Sequence, residues 1–392
     1  MMPGARVQAA IEVLDRILAG DAAEKALTVW ARGSRFAGSK DRAAVRDHVF
    51  DALRMLRSGS WAGGIYGMPV EYDGRSVLAG VLSLQGADLG VLFSGQGHAP
   101  APLDPLPVAP DAAPDAVNLD CPDWLLPLLR RDLGGDADVV LQALRTRAPV
   151  FLRVNAARIS TSDLIARLTS EGVAVVPDDT APTAVRLDGT PRGLTNLPSF
   201  QEGLWELQDA GSQSLIARLP STKGMRVLDL CAGGGGKALA LAARGDVTVL
   251  AHDADPARMS DIPVRAERAG VNIKRLSAPE DDAPFDAVIA DVPCSGSGSW
   301  RRAPDAKWRL TPERLDELTA LQREILRRAI AMVRPGGWVA YMTCSILARE
   351  NAELVDAVLA DTGGLELGDR WSCLPQEGRG DGFHLSVINR RV

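Results

Sequence analysis

Cys294 lies in Phe285-Asp-Ala-Val-Ile-Ala-Asp-Val-Pro-Cys-Ser-Gly-Ser-Gly298, an apolar run that stops at an acid, Asp291, and turns through Pro293. Cys344 ends a second run, Gly336-Gly-Trp-Val-Ala-Tyr-Met-Thr-Cys-Ser345. A lone buried cysteine is ordinarily a small hydrophobe. Two at the ends of apolar strands, one beside an acid, suit covalent catalysis, in which a thiolate adds to an electrophilic carbon and divides one hard step into easier ones. Alkylation of cytosine at C5 needs such help. C5 is a poor nucleophile until a thiolate adds to C6 and turns the ring into an enamine; a base then removes the C5 proton and elimination frees the thiol. A free thiol has a pKa of about 8.5, so the attacking cysteine benefits from a cation or a helix N-terminus. A bound sulfonium, Lys237, Arg301 and Arg302 are the candidates. Asp291 is placed near the base, where a protonated carboxyl would stabilise charge at N3.

The stretch Val227-Leu-Asp-Leu-Cys-Ala-Gly-Gly-Gly-Gly-Lys237 reads as a strand, a glycine turn and the start of a helix. Glycine lets backbone approach a ligand closely, and a helix N-terminus offers free N–H groups. The candidate cofactor contacts are Cys231, Ala232, Gly233, Gly234, Gly235, Gly236 and Lys237, together with Asp291. The next strand ends at Ala251-His-Asp253. An acid roughly twenty residues beyond a glycine turn can accept ribose hydroxyls, so Asp253 joins the set, with Arg258 close behind it. Turn and acid together favour a nucleoside-containing cofactor over a structural turn. They leave NAD and S-adenosylmethionine open, although the Gly-x-Gly-x-x-Gly spacing of dehydrogenases is not met, because position 238 is alanine.

These residues need a scaffold that brings strand ends together. From residue 221 to 392 strands alternate with helices: strands at Arg226–Leu230, Val247–His252, Ala287–Ala290 and Trp338–Met342, helices at Gly236–Ala243, Pro256–Ala269, Pro312–Val333 and Glu350–Leu359. Such alternation predicts an α/β domain with a Rossmann-like, doubly wound, mostly parallel sheet, which binds ligands beyond its strand C-termini. Residues 121–220 predict a small α+β domain, with Phe151–Asn155 and Val173–Val176 as strands and Thr161–Glu171 as a helix. Residues 1–98 are helical, with Val7, Ala10, Ile11, Leu14, Ile17 and Leu18 on one face and a second helix over Ala43–Leu56, capped within Ser39-Lys-Asp-Arg42. Residues 99–120, rich in Pro, Ala and Asp, read as a linker.

Composition narrows the class. The 392 residues are 46% hydrophobic and 24% charged, with a net charge of −6. That is ample for buried cores and does not advertise nucleic-acid binding, although a net-acidic enzyme can carry a local basic groove. The five cysteines are widely spaced with no CxxC pair, and the four histidines are scattered, so neither a disulfide framework nor a metal site is expected. No stretch reaches the ~20 apolar residues of a membrane span, and a reducing cytoplasm is the simplest compartment. His252 suits packing or capping. Arg6, Arg42, Arg46 and Arg54 suit either phosphate contact or a solvated helix face, and Trp300 and Trp308 suit either base stacking or core packing.

The two cysteine stretches resemble the Sun-type, RsmB-like RNA cytosine-5 methyltransferases. Asp291-x-Pro-Cys-Ser-x-x-Gly298 followed by Arg301-Arg-Ala-Pro-Asp-Ala-Lys-Trp308 is similar to that family's fourth motif, and Thr343-Cys-Ser345 with Glu350-Asn351 to its sixth. The resemblance implies that Cys344 attacks C6 and that Cys294 assists proton removal or product release. DNA cytosine methyltransferases use the fourth-motif Pro-Cys instead, so the second cysteine points to RNA. Lys40-Asp-Arg-Ala-Ala-Val-Arg-Asp-His-Val-Phe-Asp-Ala-Leu-Arg54 resembles the family's NusB-like RNA-binding domain, and Arg147–Asn155 with Leu207–Gln213 its small α+β domain. The cofactor implied is S-adenosylmethionine, with Cys231 structural in its loop. The partner implied is structured RNA, small-subunit ribosomal RNA foremost, with no membrane or metal. The family's Ala-Pro-Gly-Gly-Lys-Thr motif stands here as Gly233-Gly-Gly-Gly-Lys-Ala238; loss of the proline predicts a looser loop. Two rivals are a Rossmann-type NAD oxidoreductase, which leaves both cysteine strand ends unexplained, and a non-catalytic RNA-binding assembly factor, which the altered loop supports.

Overall fold

The computed structural model describes residues 1–65, 71–104, 112–189 and 191–392. Residues 105–111 of the expected linker lie outside the described residues. The chain forms two compact units, Met1–Arg147 with Trp300–Leu310, and Ala148–Ser299 with Thr311–Val392.

The first unit is helical. Pro3–Leu18, Ala23–Gly33, Ser39–Arg54, Leu56–Ala62 and Gly74–Leu84 are its main N-terminal helices. Apolar residues three and four apart, such as Val7, Ala10, Leu14 and Val45, Val49, Leu53, share a buried core with Val77 and Leu78. The helix at Ser39 is capped by Asp41, whose carboxylate accepts from the Gly38 N–H at 3.2 Å. The unit also takes in helices Leu126–Leu133 and Ala137–Leu144, which the sequence grouped with the α+β region. Trp300–Leu310, far along the chain, joins the same unit. Trp308 Nε1 donates to the Leu53 carbonyl at 2.6 Å and Arg54 Nε to the Arg301 carbonyl at 2.8 Å. Trp300 is fully buried and Trp308 packs on the helical core. Both tryptophans are therefore packing residues here.

The second unit holds two sheets. β1 (Phe151–Val154), β2 (Val175–Pro177), β3 (Ala184–Leu187) and β4 (Trp205–Leu207) form an antiparallel sheet in the order β2-β3-β1-β4. β5 (Met225–Asp229), β6 (Val247–Ala251), β7 (Ile273–Arg275), β8 (Phe285–Asp291), β9 (Val333–Thr343), β10 (Leu365–Cys373) and β11 (Phe383–Arg390) form the larger one, in the order β10-β11-β9-β8-β5-β6-β7. β5 to β9 run parallel, while β11 pairs antiparallel with both β9 and β10. This is the doubly wound, mostly parallel sheet that the alternation of elements predicts.

Period-two alternation divides its core. Leu228, Leu250, Val288, Val339 and Tyr341 face a cluster with Leu326, Ile330, Leu354 and Val358. Val227, Val249, Ala287, Ile289 and Met342 face the other, with Leu215, Ala238 and Leu241. Helices cover both faces, which is why these strands read as continuous apolar runs. Strand order reverses between β5 and β8, and a crevice opens there at the C-terminal edge. β5 ends in Asp229, β8 in Asp291 and β9 in Thr343, so these strand ends share one edge.

Candidate active site

Beyond β8 the chain turns back along the end of β9. Val292 N–H donates to the Met342 carbonyl at 3.1 Å and Gly298 N–H to the Cys344 carbonyl at 2.9 Å. The loop lies so close that a Cβ on Gly298 would meet the Gly382 carbonyl oxygen at 2.2 Å. The turn brings Cys294 Sγ and Cys344 Sγ within 3.4 Å. Both thiols are half-buried. The hydrogen bond from Cys294 lowers the Cys344 pKa below the ordinary thiol value; burial and Asp291 oppose this, while Lys237 and a hydrogen bond from Ser299 assist it. The same bond, with burial and the charges of Cys344 and Glu350, pushes Cys294 well up. One thiol is thus prepared to ionise while its neighbour keeps its proton. By contrast burial drives Cys121, Cys231 and Cys373 up to about 12. Lys237, one of the cations weighed from sequence, helps to lower the Cys344 pKa; Arg301 and Arg302 lie within Trp300–Leu310 of the helical unit.

Lys237 Nζ meets Asp291 Oδ2 at 2.5 Å. Burial works against the ammonium, but Asp291, with Cys344 and Asp229 adding, raises its pKa above the usual lysine value. In this structure the Asp291 side chain accepts from that ammonium. Both residues line a cavity of about 140 Å³ with Gln208, Ser212, Asp229, Cys231, Ala232 and Gly236. Asp229 is fully buried, and neither carboxylate oxygen has a hydrogen-bond partner. Burial, and then the charge of Asp291, raise its pKa to about 7, against the pull of Lys237 and the nearby N–H groups of Cys231 and Ala238. A buried, unpartnered carboxylate is costly. One that lines a cavity beside a glycine turn fits a cationic amino group, and the cavity therefore suits the amino-acid end of a charged nucleoside.

The glycine turn is held in place. Ala232 N–H donates to the His252 carbonyl and Gly235 N–H to the Ala232 carbonyl, at 2.9 and 2.8 Å. Gly233 and Gly235 have φ of +48° and +81°, a region that favours glycine. A Cβ on Gly235 would also strike Ile262 at 2.8 Å. Arg265 donates to the Gly234 carbonyl and also pairs with Glu206 of β4 at 3.0 Å. Arg153 of β1 donates to the Gly236 carbonyl at 2.6 Å. Side chains tied to the small sheet thus fasten the loop where the family's proline is missing, so the looser loop expected from sequence is replaced by a braced one. Asp253 is also turned into this frame. Its Oδ2 accepts from the Gly233 N–H at 2.9 Å, its Oδ1 from the Asp255 N–H at 3.0 Å, and Arg258 pairs with it at 3.1 Å.

Other sequence candidates are held by the protein itself. Arg6 pairs with Asp41, Arg46 with Glu24 and Arg54 with Asp51, and Arg42 donates to the Ala37 carbonyl. The His252 ring caps the Leu276 carbonyl at 3.1 Å. Burial lowers His384 to about 4, which leaves it neutral between Ser372 and Ser386. Reasoning from sequence missed Asp229, Arg153 and Gln322. The signal for Asp229 was present, since an acid inside the apolar run Val227-Leu-Asp-Leu230 is out of place in a buried strand.

The family model for 16S rRNA methyltransferase RsmB/F matches residues 216–388, and that for the RsmF/B-like ferredoxin-like domain matches 121–192. Ribosomal RNA small subunit methyltransferase B of Proteus mirabilis is 32% identical over 280 residues, covering 69% of this chain. The match spans 66% of that protein's length, just under two thirds. The crystal structure of PH0851 has the same fold, with a TM-score of 0.79 at 22% identity over 100% of this chain and 99% of its own. A methyltransferase homolog protein from Pyrococcus horikoshii gives 0.62 at 25% identity, over 71% of this chain and 97% of its own. On these matches, which run through both of its α/β-containing regions, the chain belongs to the RsmB/F family of methyltransferases.

Proposed function

We propose that the chain methylates cytosine C5 in structured RNA, small-subunit ribosomal RNA foremost, with S-adenosylmethionine as methyl donor and Cys344 as nucleophile. The thiol pair carries this reading: two cysteines 3.4 Å apart, of which only Cys344 is shifted towards its thiolate. S-adenosylmethionine, when bound, supplies an electrophilic methyl group. Asp229 would receive its amino group, and the turn Cys231–Lys237 with Asp253 and Arg258 would hold the rest. Lys237 and the Cys294 thiol stabilise the Cys344 thiolate as it meets C6. Addition there makes C5 nucleophilic. After C5 is methylated, its proton leaves and the C6–S bond breaks, returning Cys344 as a thiolate, with Cys294 the adjacent group for proton movement. Asp291 orients Lys237. The NusB-like helical unit would hold the RNA, a role resting on resemblance alone. C6 is hidden in a stacked helix, so the target is an unpaired or flipped base, which costs least in a loop or bulge.

The test is methyl transfer to undermodified ribosomal RNA by wild type, Cys344→Ser and Cys294→Ala, with denaturing gels for a protein–RNA adduct. Activity is expected in the wild type and none in Cys344→Ser. Cys294→Ala should accumulate an adduct that disappears when Cys344 is also replaced. Full activity in Cys344→Ser would falsify the mechanism. Cofactor and RNA binding with no transfer in any form would favour the assembly-factor reading.

A further inference from the structure

Glu350 lies six residues after the second cysteine and is completely buried. Its Oε1 accepts from the Ser295 N–H and from Gln322 Nε2, each at 2.8 Å. Its Oε2 accepts from the hydroxyls of Ser295 and Ser345, each at 2.5 Å. Ser295 directly follows Cys294, and Ser345 directly follows Cys344. Gln322 also donates to the carbonyl of Pro293, the residue before Cys294, at 2.9 Å. One carboxylate thus holds the backbone or side chain of residues flanking both thiols. Since Ser345 gives its only hydroxyl proton to Glu350, Ser297 donates to Ser345 at 2.8 Å and accepts from the Ile346 N–H at 2.9 Å. Asn351 closes the far side, accepting from Thr343 Oγ1 at 2.6 Å and donating to the Ser345 carbonyl at 2.9 Å.

A structural buried carboxylate is normally matched by a cation. The four donors here are neutral, so hydrogen bonds rather than an ion pair hold the Glu350 carboxylate beside the thiols. We propose that Glu350 is the positioning residue of the two-thiol site: it ties the β8 and β9 loops to one anion, so that Cys294 and Cys344 stay in contact in a fixed order. This rests on the reading of Cys344 as nucleophile. The charge reinforces the order. Glu350 faces Cys294 and favours its protonated form, while Cys344 faces Lys237, which favours the thiolate, and Asp291, which opposes it. Tyr341 also faces Glu350, donating to its backbone carbonyl at 2.6 Å.

The experiment is iodoacetamide labelling of each cysteine from pH 6 to 9, read by peptide mass spectrometry on full-length wild type, Glu350→Gln and Ser345→Ala. Cofactor binding and methyl transfer are measured on the same samples. In the wild type Cys344 should label at lower pH than Cys294. In Glu350→Gln that separation should shrink about tenfold in relative rate, the equivalent of one pKa unit, and kcat should fall with cofactor affinity kept. Ser345→Ala, which keeps the anion and loses one donor, should move both readouts the same way by less, and it decides the matter if Glu350→Gln does not fold. Unchanged labelling order and unchanged kcat in a folded variant overturn the proposal. A wild type that shows the labelling order but transfers no methyl group overturns the function reading instead.

Discussion

Each unit buries a lysine close to an aspartate, and the two lysines are driven in opposite directions. In the sheet unit Lys237 meets the Asp291 carboxylate and its pKa rises. In the helical unit Lys307 donates to the backbone carbonyl of Asp120, whose carboxylate is taken by Arg145 at 2.8 Å and by Ser58. Burial then dominates, and Lys307 falls to about 8 despite the charge of Asp120. Burial is similar for both. The difference is the oxygen each ammonium reaches: a full charge offsets desolvation, a carbonyl dipole does not. The sheet unit keeps a cation beside the Cys344 thiol, whereas the helical unit uses its lysine as a structural donor.

Asp291→Asn is the strongest way to break this contrast, because it gives Lys237 only a neutral oxygen. Single-turnover methyl transfer should fall by about a hundredfold or more, with the rate lost at a lower pH on the alkaline side. A rate and pH profile like wild type would remove Asp291 from the site. Asp229→Asn tests the cost of the unpartnered acid. A carboxyl raised to about 7 from 3.8 binds a proton that the unfolded chain has released, so the wild type should gain stability as pH falls from 7 towards 4. The variant should be more stable at pH 8 by up to about 4 kcal/mol and bind S-adenosylmethionine more weakly. Calorimetry with titration of the cofactor measures both, and a destabilised variant would contradict the assignment. Lys307→Met is the smallest change. Below pH 8 the folded state carries a buried ammonium, and between 8 and 10.5 the unfolded chain binds the extra proton. Wild-type stability should therefore rise through that window by about 3 kcal/mol, and the variant should lose the rise. Parallel pH profiles for variant and wild type would show that Lys307 is charged throughout.

Much of the sheet unit was legible in the sequence because its signals are local. The apolar runs ending at Asp229, Asp291 and Thr343 mark strands, and glycine after β5 marks the ligand edge. The expected strands differ from β5, β6 and β8 by a few residues at their ends, whereas β9 starts earlier, at Val333, which pairs with Phe285. β7 and β10 were not anticipated. They are the two edge strands, whose residues are half-buried or exposed, and they offer no apolar run. What stayed hidden depends on distant partners. The four donors that converge on Glu350 come from Ser295, Gln322 and Ser345, and no spacing rule links them. Likewise the Arg153 and Arg265 contacts that brace the glycine turn need the small sheet in place.

Trp300–Leu310 has a consequence for how the molecule can be divided. The chain leaves the sheet unit after Ser299, spends these residues in the helical unit and returns at Thr311. A fragment beginning at Ala148 would carry Lys307 and Trp308 without the partners they meet in the helical unit, and a helical fragment ending at Arg147 would lack Trp308 from beside Leu53. Neither part is a cassette that recombination or a protease could separate cleanly, and the two are inherited as one folding problem.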